Sequence, residues 1–97
     1  MTKAEIVSKI AKSTGIDKNH VQLSVEHFME EIKKSLDKGD NVYLRGFGSF
    51  VIKTRAEKTG RNISKNTTIT IPAHNIPSFK PSKVFMDSVK KKVKVKK

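Results

Sequence analysis

The chain has no cysteine among its 97 residues. That excludes a disulfide framework, a thiolate zinc site and a cysteine nucleophile, and with them a stapled secreted fold or a zinc finger. Its longest uncharged stretch falls far short of the ~20 residues a membrane span needs. Residues 1 to 11 show helical periodicity without a signal-peptide core. A soluble, unexported, cytoplasmic protein is expected, with no membrane partner. Acids are scarce after Asp40, where only Glu57 and Asp87 occur. Two carboxylates cannot build a two-metal nuclease site, so no enzyme is expected. His27, Glu30 and Glu31 lie on a charged helix face without a further convergent ligand, and read as solvated surface. No metal, cofactor or small-molecule substrate is expected.

Positive charge is what the chain has in excess, with 21 Lys and Arg against 9 Asp and Glu for a net +12. The excess is segregated. Residues 1 to 40 hold seven Lys and seven acids, whereas residues 41 to 97 hold eleven Lys and three Arg against two acids. Solubility alone does not require segregation, since interspersed signs serve it equally well. A polyanionic partner does.

The neutral part reads as a helix pair over about residues 3 to 39. Thr2 and Glu5 fit a capping box, Ile6, Val7, Ile10 and Ala11 follow at helical spacing, and Gly15 is a stop. Asp17 can cap a second helix whose apolar stripe is Val21, Val25, Phe28, Met29, Ile32 and Leu36, closed by Gly39.

The basic part opens with a hairpin, Asn41 to Arg45 and Ser49 to Ile52 around Gly46-Phe47-Gly48. From Lys53 to Glu57 the strand pattern continues without large apolar side chains, so the chain leaves the globule. A return run, Thr67 to Ala73, comes back, and its Pro72 is tolerated because both strands of a two-stranded ribbon are edges. Sheet and arm together span about residues 41 to 76. The outgoing strand, Lys53 to Ser64, can reach about 35 Å at ~3.3 Å per residue, close to one turn of duplex DNA. Lys53, Arg55, Lys58, Arg61 and Lys65 stand on the arm against Glu57 alone, a repulsive set unless phosphates lie between them. Pro77, Phe79 and Pro81 lead into Ser82, the expected N-cap of a last helix over about residues 82 to 90. Residues 91 to 97 read as a basic tail.

If the arm projects outward, the remaining globule cannot cover its apolar set. Helix two and the sheet, with Leu44, Phe47 and Phe50, call for a second copy on a two-fold axis. Two arms can then clamp one duplex. The expected class is α+β, as one domain over residues 1 to 90.

The strings Gly46-Phe47-Gly48-Ser49-Phe50, Gly60-Arg61-Asn62 and Ile76-Pro77-Ser78-Phe79-Lys80-Pro81 resemble the bacterial histone-like HU/IHF family. The resemblance implies an intertwined dimer of helix pair, short antiparallel sheet with long β-ribbon arms, and short last helix, and arms that embrace the DNA minor groove. Lys53, Arg55, Lys58, Arg61, Asn62 and Lys65 would be the DNA-binding arm. Lys3, Lys18, Lys80 and Lys83 would touch flanking DNA. Val25, Phe28, Met29, Ile32, Leu36, Leu44, Phe47, Phe50 and Phe79 would form the dimer core. Ile63 stands where the family usually has an intercalating Pro, and the Gly that commonly closes the family's tip turn is missing. The implied function is architectural: double-stranded DNA bound with little sequence specificity, bent and compacted in the nucleoid. The partner subunit is an identical copy or a related chain. RNA or ribosome binding is the alternative, disfavoured because no aromatic residue for base stacking occurs from Lys53 to Ala73.

Overall fold

Helix α1 (Lys3–Thr14) begins where the Thr2 hydroxyl accepts from the Glu5 N–H at 3.3 Å and ends at Gly15, whose φ of 77° is left-handed. Helix α2 (Lys18–Asp37) starts on the Asp17 carboxylate, which accepts from Asn19 N–H at 3.1 Å. It stops at Lys38, one residue before Gly39 with φ 88°. The fold is seen in a computed structural model that describes residues 1–62 and 67–95. Val7 of α1 and Val21 and Ile32 of α2 are the buried hydrophobic residues among those described.

The strands are β1 (Val42–Leu44), β2 (Gly48–Arg55), β3 (Lys58–Asn62), β4 (Thr67–Ile71) and β5 (His74–Pro81), and helix α3 (Lys83–Lys92) follows. β1, β2 and β5 form one antiparallel sheet in that order, while β3 and β4 form a separate pair. Residues 77–81, expected as a lead-in to the last helix beyond a sheet and arm ending at about residue 76, therefore belong to the third strand of the sheet. Pro77 and Pro81 obscure it by sequence. They are accommodated because β5 lies at the sheet edge, where a missing N–H costs no ladder bond on the open side.

The arm is not one unbroken ribbon. Pairing runs from Gly48 with Pro81 to Arg55 with His74, stops, and resumes from Lys58 with Ile71 to Asn62 with Thr67. Ala56 and Glu57 on one side and Pro72 and Ala73 on the other are unpaired, so the register is the same on both sides of the gap. Pro72 supplies the reason, since it cannot donate to the ladder. The last helix also runs two residues further than expected and takes Lys91 and Lys92 out of the tail.

The radius of gyration is 19.1 Å and the longest extent 59 Å. A compact chain of this length has a radius of about 13 Å, so the ribbon stands well clear of the body. Helix α3 meets its own chain mainly through Phe85, whose ring stacks on Phe47 at 5.5 Å, and through the Ser82 N–H, which donates to Phe47 O at 3.0 Å. Phe79 joins this cluster, 5.0 Å from both Phe47 and Phe50. No helix among the described residues is long and apolar enough to cross a membrane.

Candidate nucleic-acid interface

Strand alternation sorts the sheet into two faces. Paired positions Val42, Phe50 and Phe79, and likewise Ile52 and Pro77, share one face. Ile52 lines a groove with Leu36 of α2, so this face turns toward the helices. The opposite face carries Tyr43, Ser49 and Lys80 in one row, then Val51 and Ser78, then Lys53 with Ile76, and finally Arg55 with His74. An open groove on that side is lined by Tyr43, Arg45, Ser49, Val51 and Lys80. No acid occurs in residues 42–55 or 74–81. Lys53, Arg55 and Lys80 are thus brought onto one acid-free surface at the root of the arm.

Beyond it, Lys58 opens β3 opposite Ile71 and shares a groove with Thr54, Arg55 and His74. The two cations border one hollow, where a phosphate would relieve their repulsion. The Thr54 hydroxyl donates to Asn75 Oδ1 at 2.7 Å, which fastens the two strands just before the gap. In the gap, Nδ1 of His74 lies 3.0 Å from Pro72 O. Arg61 and Asn62 occupy the end of β3 opposite Thr68 and Thr67. Ile63 and Lys65 lie outside the described residues.

The four body lysines are exposed, and they differ in their surroundings. Lys3 Nζ is 3.0 Å from Glu26 Oε1 and holds that carboxyl below its ordinary range, chiefly by the hydrogen bond, with Gln22 adding a second. Lys18 starts α2. Lys80 and Lys83 bracket Ser82, whose hydroxyl caps α3 by accepting from Phe85 N–H at 3.2 Å, so both cations stand beside the positive end of a helix.

Sequence reasoning missed four residues of this surface. Arg45 and Tyr43 carry only a hairpin signal; the place of Tyr43 in the groove with Lys80 follows once the pairing register is known, and Arg45 joins them from the turn after β1. Ile69 and Ile71 were read as a return strand, yet each remains 46% exposed. The Ile-Thr-Ile alternation was the available signal, because a ribbon with no core behind it has nothing to bury them against.

Of the nine residues expected in a dimer core, Ile32 is already covered within its own chain. Val25, Leu36, Leu44 and Phe50 are half-buried. Phe28, Met29, Phe47 and Phe79 are exposed, Phe28 by 50%. Val89 and Met86 of α3 are exposed too, along an apolar groove floored by Phe79 and Phe85.

Residues 1–90 match the family described as Bacterial DNA-binding protein. The chain is 38% identical over 90 residues to the DNA-binding protein HU of Geobacillus stearothermophilus, covering 93% of this chain and all of that one. It is 39% identical to the HU of Thermotoga maritima over the same shares. Among solved structures, the Anabaena HU–DNA cocrystal structure superposes with a TM-score of 0.86 at 34% identity, over 92% of this chain and 97% of that chain. The fold agrees with the Anabaena structure along nearly its whole length, and the chain belongs to the bacterial DNA-binding protein family that includes HU.

Proposed function

We propose that the protein is an architectural, nucleoid-associated DNA-binding protein that acts as a dimer and bends the duplex it holds. The observation that carries this is the acid-free sheet face of Lys53, Arg55 and Lys80, continuous with a ribbon that stands off the body. Phosphates neutralise that face, and each cation that engages one releases condensed counterions. The reading is of binding alone, with no bond made or broken.

Dimerisation supplies what one chain lacks. Three buried aliphatic residues among those described are too few to offset the ordering of a chain this long. A second copy seated on Phe28, Met29, Phe47 and Phe79 would cover the exposed apolar surface and bring α3 against a partner. It would also set two arms on one duplex. Lys53, Arg55, Lys58, Arg61, Asn62 and Lys65 then follow the minor groove, and Ile69 and Ile71 offer apolar contact to its sugar-lined walls. Lys3, Lys18, Lys80 and Lys83 receive the bent flanks.

Ile63 takes the wedge role at the tip. An apolar side chain between base pairs unstacks a step at a cost of a few kcal/mol, offset by the phosphate contacts that the bend permits. Deformable, nicked or gapped DNA is therefore preferred over a stiff duplex. The test is an energy-transfer measurement of bend angle on random-sequence DNA, with the native chain beside Ile63→Ala. A native bend that collapses in Ile63→Ala, while affinity falls only a fewfold, supports the reading. Straight DNA in the native complex would overturn it, as would tighter binding to duplex RNA in direct competition.

A further inference from the structure

The family match ends at residue 90, and the chain continues for seven residues of which five are lysine. Helix α3 does not end with the match. It continues to Lys92, so that Lys90, Lys91 and Lys92 occupy its last turn. All three are exposed, as is Lys94. Among the described residues none of the four is in an ion pair.

A lysine at the C-terminal end of a helix is ordinarily explained by the helix dipole. That accounts for one residue of this kind. Helices α1 and α2 each place a single lysine in the last turn, Lys12 and Lys34, whereas α3 places three. The run also continues to Lys94, past the end of the helix, where the dipole no longer acts. Four neighbouring cations with only Asp87 as an acid in the same helix repel one another unless a polyanion lies against them.

The helix also gives the charges a direction. Lys83 and Lys90 are seven residues apart, which places them on one stripe two turns and about 10 Å apart. Lys90 borders the apolar groove with Phe85 and Val89, and Lys91 and Lys92 follow at steps of about 100° around the helix. The last turn is therefore cationic on three sides, two turns along the axis from Lys83 at the helix start.

We infer that Lys90, Lys91, Lys92 and Lys94 form a second phosphate-binding site, which extends the contact with the same bent duplex outward from Lys83. This rests on the DNA-binding reading above. The partner is the sugar-phosphate backbone of the flank, held by charge and without sequence readout. From Lys83 to Lys92 the helix rises about 13.5 Å, equal to about four base pairs of duplex at each end of the site.

The test compares the native chain, a chain ending at Lys90, and the full-length Lys91→Gln/Lys92→Gln/Lys94→Gln variant, which keeps the helix and loses its charge. Each is titrated with random-sequence duplexes of increasing length over a salt series, with bend angle measured in parallel. The native chain is expected to need a duplex longer by about six base pairs for full affinity, since residues 91 to 94 reach about 10 Å past Lys90 at each end. Its plot of log affinity against log salt is expected to be steeper by about 0.9 for each phosphate the extension neutralises. All three proteins should bend DNA equally. Equal length requirement and equal slope, with bending retained, would overturn the inference and leave the DNA-binding reading intact. Loss of bending in the native chain would instead sink that reading. Two duplexes captured in one complex without a longer site would also overturn the inference, by moving the lysines onto a second molecule of DNA.

Discussion

A Cβ placed on Gly48 would lie 2.6 Å from Cζ of Phe79 and 2.7 Å from the Lys80 carbonyl oxygen. The first glycine of the turn, Gly46, is needed for its φ of 83°. Gly48 is needed for space, because β5 crosses directly over it. Gly48→Ala must therefore push the edge strand away from β2 and disturb the Phe47, Phe50 and Phe79 cluster. A loss of about 1–3 kcal/mol is expected from such overpacking, visible in thermal unfolding as a Tm lower by at least about 4 °C. An unchanged Tm would mean that β5 does not hold this position.

Dilution should unfold the protein. With folding and association coupled through Phe28, Met29, Phe47 and Phe79, Tm rises with protein concentration by mass action. Calorimetry over a hundredfold range should show a shift of several degrees. A constant Tm together with a monomeric mass by sedimentation would remove the dimer.

Arg55 stands on the basic face where the paired part of the sheet ends. Arg55→Gln removes one phosphate contact from each arm, so the salt slope of a dimer should become shallower by about 2, at 0.9 per phosphate. The weakening should be uniform across DNA sequences. A sequence-dependent loss would show that Arg55 reads bases.

Glu26 reports on Lys3. Its carboxyl is held below the ordinary range by the Lys3 hydrogen bond, then by Gln22. A depressed folded-state pKa contributes stability above the unfolded value, and that contribution is lost as pH falls through the folded value. Lys3→Gln should therefore move the Glu26 titration upward and weaken the fold at neutral pH and wherever Glu26 is ionised, with the difference from the native chain vanishing as pH falls through the folded-state value. Saturating DNA should move it upward as well, if Lys3 leaves Glu26 for a phosphate. Titration by NMR in the free and bound protein checks both, and a Glu26 pKa unmoved by DNA would take Lys3 out of the flank surface.

Much of this was legible in the chain itself. The caps at Thr2, Asp17 and Ser82 announce all three helices, because a hydroxyl or carboxylate ahead of an apolar stripe has a local use that no distant contact needs to supply. The charge division at Asp40 and the loss of apolar residues after Ile52 announce the arm. The third strand was hidden because its signal is not local. Pro77 and Pro81 are poor strand residues until the sheet order makes them edge residues. The place of Tyr43 was hidden for the same reason, since the face a strand residue takes depends on a pairing register that sequence alone does not give.

The gap in the ribbon skips two positions on each strand without moving the register, so every side chain beyond it keeps the face it would have had in an unbroken ladder. Finger length in this protein is consequently quantised. Removing two residues from each strand yields a shorter finger with the same wet and dry sides, whereas removing one from each turns the far segment inside out and presents Ile69 and Ile71 on the other side.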